Sequence, residues 1–243
     1  RDPVREEPAA GGHQRGQPVS APLITQVNDF ALKLANVNGT GSASANSLLM
    51  KAIFRMGVPV SGKNLFPSNI QGLPTWYEIR VNKDGHTSRA LDYDLVVAMN
   101  AQTYAADISE VRSGGYVLYD STWPLSDELA RPDVTFLGVP LTALCADKFE
   151  RARDRLLLKN ICYAGALVAL LGIDVDVVRT LLDETFAGKA KLRDANQLAL
   201  ALGFDYATEH LQALPFRVEP MDESTGKILI DGNTATALGC LYA

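Results

Sequence analysis

Three short segments concentrate the groups that could hold a ligand: Gly39-Thr40-Gly41-Ser42-Ala43-Ser44, Asn100-Ala101-Gln102-Thr103 and Asp120-Ser121-Thr122. Each follows a run that reads as a β-strand, and in an open α/β sheet ligands bind beyond the carboxyl ends of the strands. Small residues and hydroxyls at the start of a helix let backbone N–H groups approach phosphate oxygens, and the helix dipole favours the negative charge. The first segment is therefore a candidate phosphate cradle, although tight strand-to-helix packing explains its glycines equally well. It is not a dinucleotide fingerprint, because Ser44 stands where a third glycine belongs and Ser61-Gly62-Lys63 replaces the acidic ribose ligand. Nor is it a P-loop, since no Lys-Ser or Lys-Thr follows the glycines.

A second candidate is the stretch from Asn64 to Tyr77, which carries two prolines, amides and aromatics without a helical or strand period. Such loops serve as lids or contact surfaces, or else as rigid connections against a core. The basic run Arg151, Arg153, Arg155 and Lys159 reads as solvated charge on a loop and helix start. Cys145 and Cys162 read as small core residues. With Cys240 they are the chain's three cysteines, without a C-x-x-C pair, and His13, His86 and His210 are its three histidines. No disulfide framework, metal site or iron–sulfur site follows from that set, and a reducing cytoplasm is the expected compartment.

These segments need a scaffold. The 243 residues suffice for one large core, and a 47% hydrophobic, 21% charged composition is that of a globular protein rather than a disordered one. A net charge of -5 leaves no basic footprint, so nucleic acid is excluded as an expected partner, and no apolar run is long enough to span a membrane. Phe30 to Val37 reads as a strand, followed by the glycine turn and a helix with Ala45, Leu48, Leu49, Ala52, Ile53 and Met56 on one face. Gly57 ends that helix, and Val58-Pro59-Val60 forms a short strand. Leu95 to Met99, Tyr116 to Tyr119 and Val134 to Val139 read as buried parallel strands, with a crossover helix within 101–110. Asn160 to Leu171 reads as a buried helix. An amphipathic helix follows an Asp174 cap, and a third runs from about Lys191 to Leu202. The expected fold is a doubly wound α/β, mostly parallel sheet with added C-terminal helices.

Residues 1–24 read as a disordered leader and 214–226 as a Pro-bearing linker. Ile228-Leu229-Ile230 reads as a strand, and Asp231 caps a helix-like run through Leu241. This pattern predicts that the sequence stops just inside a second domain.

Four segments carry a family resemblance: VNGTGSASAN at 37–46, KNLFPSNIQGLPTWYEIRV at 63–81, VAMNAQTY at 97–104 and ILIDGNTATALG at 228–239. Together they resemble the alpha subunits of 2-oxoglutarate:ferredoxin oxidoreductases, within the 2-oxoacid:acceptor oxidoreductase family. The resemblance implies a Rossmann-like gamma domain over residues 25–213 and the start of a thiamine-binding pyrimidine domain over 227–243. It implies oxidative decarboxylation of 2-oxoglutarate on thiamine diphosphate, with electrons passing through a [4Fe-4S] cluster to ferredoxin and the acyl group to coenzyme A, reversibly. Thiamine diphosphate, Mg²⁺ and the cluster would be held mainly by the rest of the alpha subunit and the beta subunit, the partners of a hetero-oligomer. Within this segment the resemblance assigns coenzyme A binding to Gly39, Thr40, Gly41, Ser42, Ala43 and Ser44, and the substrate side to Ser68, Asn69 and Ile70. No catalytic or metal-binding residue is assigned, and the segment alone is expected to be inactive. The family's Tyr-Pro-Ile-Thr-Pro segment after the glycine-asparagine turn is not reached. The alternative expectation is a non-catalytic nucleotide- or coenzyme-A-binding module, or a subunit-assembly module, of a pyruvate or branched-chain 2-oxoacid oxidoreductase.

Overall fold

The computed structural model describes residues 25–66, 72–86 and 88–243. In chain order its elements are β1 (Gln26–Val27), β2 (Asp29–Val37), α1 (Ser42–Arg55), β3 (Val60–Leu65), β4 (Pro74–Asn82), β5 (Tyr93–Ala98), α2 (Tyr104–Ser109) and β6 (Val111–Asp120). After a 3-10 turn come β7 (Thr135–Val139), α3 (Leu141–Ala146), α4 (Ala152–Leu170), α5 (Val175–Thr185), α6 (Ala190–His210), β8 (Phe216–Arg217) and α7 (Gly232–Tyr242). A six-stranded sheet has the order β3-β4-β2-β5-β6-β7. Strands β2, β5, β6 and β7 pair in parallel, whereas β4 runs antiparallel to both β2 and β3.

Alternation along the strands gives the sheet two unlike faces. Phe30, Leu32 and Leu34 of β2, with Leu95 and Val97 of β5, join α1, α4, α5 and α6 in one large apolar core. Ala31, Val96, Ala98 and Val117 face the other way, where α2 contributes Ile108 to a smaller cluster. The large core is closed by a tight crossing of α4 and α6. A Cβ built at Gly165 would lie 2.1 Å from the Leu200 carbonyl oxygen, and one at Gly203 only 1.8 Å from that of Cys162.

Most of the expected elements are present, and four expectations change. First, the stretch 64–77 is not a period-free loop: β3 runs on to Leu65 and pairs with β4, which starts at Pro74. Proline at the first position of a strand forfeits no ladder bond, and Tyr77, Ile79 and Val81 then alternate into the core. Second, 214–226 is no free linker at its start, since Leu214, Phe216 and Val218 are buried and β8 pairs with β1. Phe216 packs against Phe30 at 5.3 Å between ring centroids, the rings tilted by 38°. Third, Ile228-Leu229-Ile230 is not a strand; Ile228 and Ile230 are exposed. The Asp231 cap of α7 is present, accepting from the Thr234 N–H at 2.9 Å. Fourth, α4 begins at Ala152 rather than near Asn160, so the basic run falls on its cap and first turns, and Lys159 is half-buried instead of solvated.

Candidate functional site

Strand order fixes where a ligand crevice can form. From the carboxyl end of β2 the chain passes through α1 toward β3 and β4, whereas β5 lies on the opposite side of β2 and leads away through α2 to β6. The crevice between the ends of β2 and β5 is thus the topological switch point of the sheet, the place where such folds bind ligands. It is bounded by Asn38–Gly41 after β2 and Met99–Thr103 after β5. The end of β3 and the start of β4 reach the same edge, because Val37 pairs with Pro74 and Leu65 with Trp76. The Asn38 N–H donates to Leu73 O at 2.8 Å and the Gly72 N–H to Asn38 O at 3.2 Å, which joins the glycine loop to the residues just before β4. Ser68, Asn69 and Ile70 lie outside the described residues.

The loop itself needs its glycines. Gly39 and Gly41 have φ of 90° and 82°, values that favour a residue without Cβ, and a Cβ at Gly41 would meet Leu157 Cδ2 of α4 at 2.8 Å. No side chain caps α1, and its first turn has no acidic residue. Among the described residues, the N–H groups of Gly39 and Gly41 make no hydrogen bond. Gly39, Gly41, Ala43 and Ser44 are exposed and Thr40 is half-buried, but Ser42 is buried. The first turn of α1 offers backbone donors and a positive dipole end to an anion, with no carboxylate to repel it.

Beneath the loop lies a seam of neutral polar side chains in an otherwise apolar core. Asn36 Oδ1 accepts from its neighbour Val37 N–H at 2.8 Å and from Thr40 Oγ1 at 3.1 Å. Asn36 Nδ2 donates to Asn160 Oδ1 at 3.0 Å, and Asn160 Nδ2 donates to the Thr40 carbonyl oxygen at 2.7 Å. One turn further along α4, the Tyr163 hydroxyl donates to Asn46 Oδ1 of α1 at 2.6 Å. Burial pushes the Tyr163 phenol far up, so that it stays a neutral donor. These four residues were not singled out in the sequence. The signal was there: Asn160 interrupts the apolar face of α4.

The neighbouring edge is held by Asp120 at the end of β6. Its carboxylate accepts from Thr142 Oγ1 at 2.5 Å, from the Thr142 and Thr122 N–H groups at 3.2 Å each, and lies 3.5 Å from Lys159 Nζ. Burial raises the cost of its charge, but the Thr142 and Thr122 hydrogen bonds and the Lys159 ammonium outweigh it and hold the carboxyl below its ordinary range. Lys159 and Asn160 are consecutive, so one turn of α4 fastens both edge segments. Between them Asn100 is buried, with Oδ1 accepting from the Gln102 N–H at 3.1 Å and Nδ2 without a hydrogen-bond partner among the described residues. Cys145 and Cys162 are buried, as expected of core residues. Among the described residues, no three His, Cys, Asp or Glu side chains gather as a metal site, and no helix is long and apolar enough to cross a membrane.

Residues 31–206 match the family described as Pyruvate ferredoxin/flavodoxin oxidoreductase. Among curated proteins, the chain is 24% identical over 250 residues to 2-oxoacid:ferredoxin oxidoreductase 2, subunit alpha, of Aeropyrum pernix, covering 87% of this chain and 39% of that protein. It is 28% identical to ketoisovalerate oxidoreductase subunit VorA of Methanothermobacter thermautotrophicus, covering 80% of this chain and again 39% of the relative. The chain thus spans about two fifths of the length of these relatives. The fold superimposes on the 2-oxoglutarate:ferredoxin oxidoreductase from Magnetococcus marinus, solved with 2-oxoglutarate, coenzyme A and succinyl-CoA bound, with a TM-score of 0.74 at 24% identity over 88% of this chain and 37% of that one. It also superimposes on pyruvate oxidoreductase subunit PORC of Thermotoga maritima with a TM-score of 0.59 at 20% identity, over 73% of this chain and 96% of the subunit.

Proposed function

Because this chain belongs to the pyruvate ferredoxin/flavodoxin oxidoreductase family, we propose that it forms the gamma-domain part of a 2-oxoglutarate:ferredoxin oxidoreductase, with its glycine loop receiving coenzyme A. The observation that carries this reading is the placement of open backbone donors on Gly39 and Gly41 at the switch point, beside an uncapped helix N-terminus. Ala43 and Ser44 present the next turn of that surface, and Thr40 and Ser42 shape it from inside. A phosphate of coenzyme A placed there meets N–H dipoles and no carboxylate, in a protein whose overall charge is negative. The thiol supplied by bound coenzyme A would take up the acyl group. The chain's own part is to hold the nucleotide end and leave the thiol end free to reach a neighbouring domain.

The hairpin tip with Ser68, Asn69 and Ile70 is proposed to face the 2-oxoacid. Support comes from the described residues that flank it, since Gly72 and Leu73 are hydrogen-bonded to Asn38 of the glycine loop. Thiamine diphosphate, Mg²⁺ and the [4Fe-4S] cluster are assigned to the remaining alpha-subunit domains and the beta subunit, with ferredoxin as electron acceptor and the cytoplasm as compartment. Residues 25–213 are proposed as the gamma domain, its core completed by Leu214 to Val218, with 227–243 leading into the next domain.

Titrating coenzyme A into the enzyme assembled from its full-length subunits tests the loop, comparing the parent with Ser44→Asp. Ser44 is exposed in the first turn of α1, where a carboxylate favours the helix and so does not threaten folding, but repels a phosphate. The expected result is affinity weakened by about tenfold, the scale of one lost charge-assisted contact. Unchanged affinity removes the loop from the coenzyme A site. The similarity to VorA favours a second reading in which the substrate is a branched 2-oxoacid. Comparing kcat/KM for 2-oxoglutarate, 2-oxoisovalerate and pyruvate decides between them, and a preference for either of the last two overturns the 2-oxoglutarate assignment.

A further inference from the structure

A glycine-flanked peptide can present either its N–H or its C=O to a ligand, and the seam beneath the loop selects one of them. Asn160 Nδ2 draws the Thr40 carbonyl toward α4 at 2.7 Å. Among the described residues no peptide bond is cis, and in a trans peptide the N–H lies opposite the C=O, so the Gly41 N–H points away from α4 and out of the core. Asn160 is itself held, because its Oδ1 accepts from Asn36 Nδ2, while Asn36 Oδ1 accepts from the Thr40 hydroxyl. Both amide groups are buried, at 6% exposure for Asn36 and 2% for Asn160, and each has donor and acceptor engaged. A buried network satisfied in this way has one arrangement, whereas Gly41, at φ 82°, could follow a flipped peptide without steric cost.

We propose that Asn160 is a positioning residue for the coenzyme A phosphate: it fixes the Thr40–Gly41 peptide with its N–H facing the ligand, although it contacts no ligand itself. This inference rests on the coenzyme A reading above. In Asn160→Leu the Thr40 carbonyl loses its donor and Asn36 its acceptor, and the peptide is free to turn its oxygen toward the phosphate.

The test uses the assembled enzyme under steady-state conditions. Asn160→Leu should raise KM for coenzyme A about tenfold or more, the scale of one lost hydrogen bond to a charged group. The kcat at saturating coenzyme A and KM for the 2-oxoacid should stay within about twofold, because neither depends on that peptide. Hydrogen exchange of the 38–44 segment should accelerate in the variant and be restored less by coenzyme A than in the parent. If Asn160→Leu fails to assemble, Thr40→Val reads the same network from the loop side, removing the hydroxyl that contacts Asn36 Oδ1 at 3.1 Å and Val37 O at 2.8 Å, with a smaller shift of the same kind. An unchanged KM for coenzyme A in a folded variant overturns the proposal, as does an equal rise in both KM values, which marks a merely structural role. Ser44→Asp separates the two levels. If it weakens coenzyme A while Asn160→Leu and Thr40→Val do not, the positioning role fails and the site stands; if Ser44→Asp is also silent, the site itself fails.

Discussion

The two faces of the sheet solve the same problem with different chemistry. Under α1 and α4 the core is apolar, and its polar seam of Asn36, Asn46, Asn160 and Tyr163 is neutral. On the opposite face the buried polar groups are ions: Lys33 of β2 sits 2.6 Å from Glu110 and 3.3 Å from Asp107, and Glu78 of β4 receives Arg89 through two bonds of 2.7 and 2.6 Å. Trp76 Nε1 adds a 2.8 Å bond to Asp107, and the Tyr93 hydroxyl one of 2.7 Å to Glu78. Neutral amides fix a backbone without placing charge near it, which suits the face beneath a loop proposed to receive a phosphate. Ion pairs hold a helix and a hairpin at the price of sensitivity to losing either partner. The charge-free seam thus lies beneath the glycine loop, the place proposed for the phosphate.

The apolar face should fail most severely where its packing is tightest. In Gly203→Ala the new methyl would collide with the Cys162 carbonyl, 1.8 Å from the Cβ position, and backbone cannot yield as a flexible side chain does. A loss of about 4 kcal/mol or more is expected, read by urea denaturation. A wild-type midpoint would show that α4 and α6 do not cross there. The ionic face should lose less, and conditionally. Lys33→Met strands Asp107, whose side chain is 1% exposed, and should cost about 3 kcal/mol. The double variant Lys33→Met/Asp107→Leu should recover most of that loss, because the uncompensated charge leaves with its partner. Failure of the second change to help would mean that Glu110 and not Asp107 is the partner that matters.

The same contrast explains what could be read in the sequence. Strands β2, β5, β6 and β7 and helices α1, α2, α5 and α6 are legible because their apolar runs and periodicity are local, whereas α3 and the start of α4 are not. β4 is not, because its core residues Tyr77, Ile79 and Val81 alternate with Trp76, Glu78 and Arg80, whose partners lie on other segments, and its leading proline suggests a loop. Lys33 and Asn160 likewise look like blemishes in apolar runs until β2 meets α2 and the glycine loop meets α4. The glycine loop was legible from its own residues. That Ser42 turns inward, leaving Ser44 as the exposed hydroxyl, follows from the phase of α1 against the sheet.

On the neutral face, Tyr163→Phe isolates one bond of the seam. The ring still fills its fully buried site, but Asn46 Oδ1 loses its donor, and a cost of about 1–2 kcal/mol is expected in thermal or urea unfolding. Because neither partner is charged, the difference between parent and variant should not change between pH 5 and 8. A pH-dependent difference over that interval would mean that an ionised group shares the seam.

Asp120 is the exception that marks where the neutral seam ends, an ionised carboxylate on the α4 side of the sheet. Its folded-state carboxyl is held below the ordinary range, so its contribution to stability is full above that range and is lost as pH falls through the depressed folded value, below about pH 4. Asp120→Asn keeps the shape and removes the charge, leaving an NH₂ group among the Thr142, Thr122 and Lys159 donors. The variant should be about 1 kcal/mol less stable at neutral pH. That gap should narrow as the solution is acidified below pH 4, because the parent then loses the same charge. A gap that stays constant across the acid range would show that the threonines hold the residue by shape alone, and that the whole α4 side of the carboxyl edge is indifferent to charge.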